Sequence, residues 1–233
     1  LNYGCVPSKA LIKSAKIAEQ MRHADRYGLT ASKPVFSFKD VMTRIENIIK
    51  TIEPHDSVER FAGFGVDVVQ GYARLTDPWT VEIARNDGGT QTLTGKAIVL
   101  ATGARPFVPP LPGLEDTGYL TSDTLWEEMA KRDAVPEQLM VLGGGPIGCE
   151  LSQSFARLGS NVTLIEMADR IMGIEDEDVS EIAAKALTGS GVTLLCGHKA
   201  LRTEMDGGRK MIIVENEGGE TSLPFDDLLI PVG

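Results

Sequence analysis

The sequence predicts an α/β protein in two parts, and three observations carry that expectation. Strands and helices alternate over residues 138–195, short strand-like runs with turn residues fill 66–94, and two helical patterns precede them. At 233 residues the chain exceeds the usual single-domain size, so two domains, or one plus a large part of another, are expected. With 42% hydrophobic and 24% charged residues and no apolar run near about eighteen residues, it reads as globular rather than membrane-spanning or disordered. An excess of 33 acidic over 23 basic residues leaves a net charge of −10, which opposes binding to nucleic acid or anionic lipid.

In chain order, Leu11, Ile12, Ala15, Ala18 and Met21 recur at helical spacing from Ser8 to His23, with Pro7 suited to a first turn. Gly4 and Cys5 stand at the amino end of that helix. Ser37 and Asp40 read as a capping box for a second helix whose apolar face is Val41, Ile45, Ile48, Ile49 and Ile52, ended by Pro54. Strand-like runs at 66–69, 80–83 and 91–94, punctuated by Asp77-Pro78 and Asp87-Gly88-Gly89, predict an antiparallel meander. Residues 96–100 read as a buried strand leading into Ala101-Thr102-Gly103, and the Pro-rich stretch 106–112 as a crossing between domains. The boundary is expected near Gly118, dividing the chain into 1–117 and 118–233.

Beyond it, strands at 138–142, 161–165 and 192–195 enclose helices at 146–158 and 176–187, a βαβαβ order. Strand-like pieces at 209–214 and 228–232, with a glycine hairpin near Gly218-Gly219, predict an antiparallel addition to a parallel sheet.

Gly143, Gly145 and Gly148 spell G-x-G-x-x-G between the first of these strands and the first of these helices. The first glycine allows a tight turn, the second lets backbone approach a pyrophosphate, and the third allows helix and strand to pack closely, with amide donors facing the phosphates. This is the fingerprint of a Rossmann-like, NAD-binding domain. Glu166 follows 23 residues after Gly143 at the end of the next strand. An acid there accepts hydrogen bonds from the adenine-ribose hydroxyls and repels a 2′-phosphate, so NAD is favoured over NADP, although Arg170 lies four residues on; the alternative is that the glycines are merely turns and Glu166 a solvated strand end.

Cys5, Cys149 and Cys196 are too few for a secreted disulfide framework and lack zinc-site spacing, so no metal is expected and a cytoplasmic setting is. Leu1 is not preceded by a basic-then-apolar leader, and the natural start is expected to lie upstream. Cys5 has two readings. A helix amino end and a nearby lysine both favour a reactive thiolate, whereas free cysteines are also common as small buried packing residues. Cys149 and Cys196 read as packing residues, and His23, His55 and His198 are scattered.

The stretch Asn2-Tyr3-Gly4-Cys5-Val6-Pro7-Ser8-Lys9 resembles the redox-active segment C-x-N-x-G-C-[VI]-P-[ST]-K of the class I pyridine nucleotide-disulfide oxidoreductases, the group of dihydrolipoyl dehydrogenase, glutathione reductase and mercuric reductase. The resemblance implies that Cys5 is the flavin-proximal thiol and that its substrate-exchanging partner belongs immediately before Leu1. It implies that Glu150 pairs with Lys9 beside the isoalloxazine, where a lysine stabilises negative charge on reduced flavin. The alternative for Glu150 is an exposed helix residue. Ala73, in Gly71-Tyr72-Ala73, resembles the segment that meets the flavin adenine, and Thr102 and Gly103 resemble the family's second flavin-domain motif. Ala200, with His198, falls in a segment that in relatives meets the NAD adenine through backbone, and Gly233 resembles the start of a G-R-x-P-N turn.

The fold implied is a Rossmann-like NAD-binding domain at 118–233 plus part of a second Rossmann-like, FAD-binding domain, with an antiparallel meander, at 1–117. The family's first FAD loop, its ribitol-binding aspartate and its dimerisation domain would lie outside these residues. A homodimer is expected for the whole protein, and little activity for residues 1–233 alone. Two function classes stay open: a flavoenzyme moving electrons between NADH, FAD and a small-molecule or disulfide substrate, or a flavin-free NAD-binding or regulatory module. The wording around Cys5 and Glu166 leans toward the lipoyl dehydrogenase or mercuric reductase branches.

Overall fold

The computed structural model describes residues 4–231, so Asn2 and Gly233 lie outside the described residues. In chain order the elements are α1 (Cys5–Arg22), α2 (Phe38–Ile52), α3 (Val58–Gly63), β1 (Gly71–Asp77), β2 (Thr80–Arg85), β3 (Thr90–Thr94), α4 (Leu114–Thr117), β4 (Leu120–Thr121), α5 (Leu125–Ala130), β5 (Gln138–Leu142), α6 (Pro146–Leu158), β6 (Asn161–Ile165), α7 (Glu177–Thr188), β7 (Thr193–Leu195), β8 (Lys199–Asp206), β9 (Arg209–Asn216), β10 (Gly219–Phe225) and β11 (Asp227–Ile230). They form two compact units, residues 1–49 with 105–233, and residues 50–104. These units cut the chain elsewhere than Gly118, because α1 packs on α6 and α2 reaches the same core through Phe38, whose ring lies 6.4 Å from that of Phe155.

The larger unit is an α/β fold built on a five-stranded parallel sheet in the order β4-β11-β5-β6-β7. Its central strands are nearly continuous apolar runs because both faces are covered. Leu139, Val141, Val162, Leu164 and Leu229 face one core with α1, α2, α5 and α6. Met140, Ile165, Leu228 and Ile230 face a second core with Leu114, Ile212, Val214 and Phe225. The second core is roofed by a separate antiparallel sheet, β10-β9-β8, with β8 also contacting α4. Of the two pieces expected as an antiparallel addition to the parallel sheet, β9 lies in this separate sheet stacked over its face, whereas β11 pairs in parallel between β4 and β5 within it. Ser37 Oγ accepts from Asp40 N–H at 3.3 Å, so the cap of α2 forms where its sequence places it.

In the smaller unit, β1, β2 and β3 form the expected antiparallel meander. Two details differ. Residues 66–69, expected as the first strand, join no ladder among the described residues, and the first strand is instead β1 from Gly71, where a Cβ would lie 2.3 Å from Ala84 O, a close approach only glycine permits. Residues 96–100, expected as a buried strand, join no ladder among the described residues, and Val99 and Leu100 are exposed. A strand is defined by the neighbour that accepts its hydrogen bonds, and local apolarity cannot supply one.

Candidate functional site

The glycine motif lies at the carboxyl end of β5, where the chain order departs to β6 and β7 on one side and to β11 on the other, the place at which open α/β sheets bind ligands. The three glycines have separate physical reasons. Gly143 has φ 118°, open to glycine but strained for other residues, and its N–H donates to Ile165 O at 2.9 Å. A Cβ on Gly148 would lie 2.0 Å from Gly143 O, so the start of α6 can press on the loop only without a side chain. Gly145, the residue capping α6, has nothing within 4 Å of its Cβ position. That open side, beside first-turn amides with no partner inside the helix, is the approach a pyrophosphate needs, so these residues fit a dinucleotide.

Glu166 closes the loop from the next strand. Its Oε2 accepts from Gly144 N–H at 2.7 Å and its Oε1 from Ala168 N–H at 2.8 Å. Gly144 O in turn accepts from Met172 N–H at 2.7 Å, so the segment after β6 grips the glycine turn. Arg170 donates to Met172 O and Gly173 O, at 3.3 and 3.0 Å, and is thereby occupied within its own loop.

Gly143, Glu166 and Ala200 come together in one open cleft of about 310 Å3, lined also by Phe107, Leu111, Met167 and His198. Sequence reasoning missed Phe107, Pro109 and Leu111 by treating 106–112 as a crossing; apolar residues interleaved with the prolines were the available signal.

A second cluster brings together residues from opposite ends of the larger unit. Lys9 Nζ lies 2.7 and 2.6 Å from the two carboxylate oxygens of Glu150, with both side chains partly open to solvent. Lys9 is one turn into α1, whose first residue, Cys5, is an exposed free thiol. Pro7 sits within the first turn, where its missing N–H costs no helical bond, and Ser8 Oγ donates to Cys5 O at 3.3 Å. Glu150 is one turn into α6, so the α1–α6 packing sets the ion pair.

The other thiols differ from Cys5. Cys149 is buried with its Sγ 3.4 Å from Gly144 O, and burial, then the nearby Cys196 and Glu166, push its thiol up to about 11. Cys196 is half-buried and is likewise raised, chiefly by burial. In the smaller unit Ala73 lies on β1, and Thr102 and Gly103 lie in an irregular segment; all three are exposed, and Gly103 has φ 70°. No helix among the described residues is long and apolar enough to cross a membrane.

Comparison with known proteins gives a consistent result. Mercuric reductase from Bacillus cereus is 33% identical over the whole of this chain, which spans 36% of that protein. Dihydrolipoyl dehydrogenase from Mycoplasma pneumoniae is 32% identical, again over the whole chain and 49% of the relative. The HOCl-induced flavoprotein disulfide reductase RclA from Escherichia coli superposes with a TM-score of 0.73 at 26% identity, covering all of this chain and 47% of that one. The chain therefore spans half or less of the length of these relatives. The family model for pyridine nucleotide-disulphide oxidoreductases matches residues 1–233, and the chain belongs to that family.

Proposed function

We propose that the full-length protein is an FAD-dependent oxidoreductase that moves electrons between NAD(P)H, preferably NADH, flavin and a disulfide or related small-molecule substrate. The observation that carries this reading is the Lys9–Glu150 pair one turn from the exposed Cys5 thiol. A module that only bound NAD would have no use for a lysine fixed by a carboxylate beside a helix-terminal thiol.

In this reading Gly143, Gly145 and Gly148 form the pyrophosphate cradle, Glu166 meets the adenine ribose, and Ala200 and the cleft around it receive the adenine. Ala73, Thr102 and Gly103 meet FAD through backbone in the smaller unit. Bound FAD would supply the two-electron relay between nicotinamide and thiol. Lys9 contributes a positive charge held in place by both oxygens of Glu150, and Cys5 contributes the thiol. The functional division is a flavin part, 1–117, and a nicotinamide-nucleotide part, 118–233. A preference for NADH is supported by the charge of Glu166 and by the retention of Arg170 on the carbonyls of Met172 and Gly173. In this reading the whole protein acts as a homodimer in solution, and residues 1–233, which span half or less of the relatives' length, sustain little activity alone.

The test is the colour and spectrum of the purified full-length protein. A yellow protein that gains a long-wavelength band on two-electron reduction is expected. A colourless protein that binds NADH but never takes up flavin would overturn the reading and leave the flavin-free module.

A further inference from the structure

His198, immediately before β8, lines the dinucleotide cleft, and its ring is held from both sides. Nδ1 is 2.7 Å from Cys196 O, and Nε2 is 2.9 Å from Asn216 Nδ2, at the end of β9. Asn216 Oδ1 accepts from Gly218 N–H at 2.8 Å in the hairpin turn. Only one proton assignment satisfies all three bonds. A carbonyl can only accept, so Nδ1 carries the proton. An N–H can only donate, so Asn216 turns its oxygen to Gly218 and its NH2 to the ring. Nε2 must then accept, and the imidazole is neutral with its proton on Nδ1.

We propose that Asn216 is a positioning residue for the dinucleotide: acting through His198, it holds a fixed, uncharged ring in the adenosine half of the cleft. The proposal rests on the dinucleotide reading above and deepens it. The His198 backbone N–H donates to Glu166 O at 3.0 Å, so the ring springs from the same backbone pair as the residue assigned to the ribose. Phe107, Leu111 and Met167 supply apolar lining beside it, which suits a purine. A ring already locked loses no rotamer freedom when ligand arrives, and that preorganisation appears directly as affinity. A neutral ring also leaves the charge of Glu166 without a cationic imidazolium close by, which disfavours an additional phosphate on the ribose. Lys199, adjacent in sequence, is exposed and supplies a cation to this rim.

ADP-ribose, the dinucleotide without its nicotinamide, is the probe. Calorimetric titration of the full-length protein should show N216A weakening ADP-ribose binding about fivefold, the loss of one positioning hydrogen bond. H198A should weaken it at least as much, and the double variant should be no weaker than H198A, because Asn216 acts only through the ring. A long-range 1H–15N spectrum should place the His198 proton on Nδ1 in the parent, and in N216A, which removes the donor to Nε2 but not Cys196 O, the Nε2 resonance should shift. Should N216A fail to fold, N216S keeps an acceptor for Gly218 N–H without the amide NH2 and is expected to weaken binding equally. Unchanged ADP-ribose affinity in the folded variant, or additive losses in the double variant, would overturn the proposal. Failure of the unsubstituted protein to bind ADP-ribose would instead overturn the dinucleotide reading itself.

Discussion

Lys9 and Glu150 are 141 residues apart in the chain, yet the ammonium of one sits within hydrogen-bond distance of both carboxylate oxygens of the other. Each stands one turn into a long helix, and the packing of α1 against α6 makes the two first turns neighbours. The pair is open to solvent, and exposed ion pairs contribute about 0 to 1 kcal/mol to stability. Under the proposed function it serves the chemistry rather than the fold.

The substitution K9M is therefore expected to leave stability within about 1 kcal/mol of the parent. In the full-length protein it should lower kcat about a hundredfold, the usual loss when a preorganised charge is removed from a reacting centre. Urea denaturation together with stopped-flow reduction checks both halves.

Two glycine-to-alanine substitutions three residues apart should fail in different ways. In G148A the new methyl meets Gly143 O, and stability should fall by about 1 to 3 kcal/mol or more. In G145A the methyl enters open space at φ −73°, so stability should hold or rise by up to about 1 kcal/mol. NADH affinity should still fall at least about tenfold, because the methyl occupies the pyrophosphate approach. Thermal melts with NADH titrations separate the two.

Nucleotide choice should respond to Glu166. E166Q keeps an acceptor for Gly144 N–H while removing the charge, and the ratio of NADPH to NADH dissociation constants should narrow about tenfold. A ratio unchanged in fluorescence titration would remove Glu166 from the specificity assignment.

The thiols should separate by exposure and by pH. An aromatic disulfide reagent at neutral pH should label Cys5 first, and C5S should abolish that phase. Cys149, with its thiol raised by burial from 9.0 to about 11, should label slowly below that pH. A thiol raised in the folded state keeps its proton where the unfolded chain has lost it, so its contribution is complete below about pH 9 and is lost as pH rises toward about 11. C149A should flatten that alkaline decline, worth roughly 2 kcal/mol, in a pH series of denaturation curves.

The buried Asp227 carboxylate binds the Arg132 guanidinium, with Nη2 2.6 Å from Oδ1, and the carboxylate holds the guanidinium above its ordinary value. Removing one partner strands the other, so R132M should cost about 3 kcal/mol. Replacing both with R132M/D227L should recover most of that loss, and a double variant as unstable as R132M would refute the account.

Much of this molecule was legible in its residues. The strands and helices from 138 to 195, the cap of α2, the glycine fingerprint and the family likeness around Cys5 depend on neighbours a few positions apart. Helical and strand periodicity, turn chemistry and left-handed glycines are local physics, and local physics is written in order along the chain. What failed was each statement that needed a distant partner. Residues 96–100 have the apolarity of a buried strand but no ladder. Of the antiparallel strands β8, β9 and β10 only β9 was foreseen, and not that the three would roof the parallel sheet while β11 joins it.

The same division runs through the candidate site. Sequence alone marked Gly143, Gly145, Gly148 and Glu166, because one turn and two strands contain them. Only the tertiary structure could seat Phe107 beside Glu166, pair Asn216 with His198, or send Arg170 back onto its own loop. Hydrogen bonds act over about 3 Å, and which groups come that close is decided when sheets stack and helices pack, a choice no short window of sequence contains.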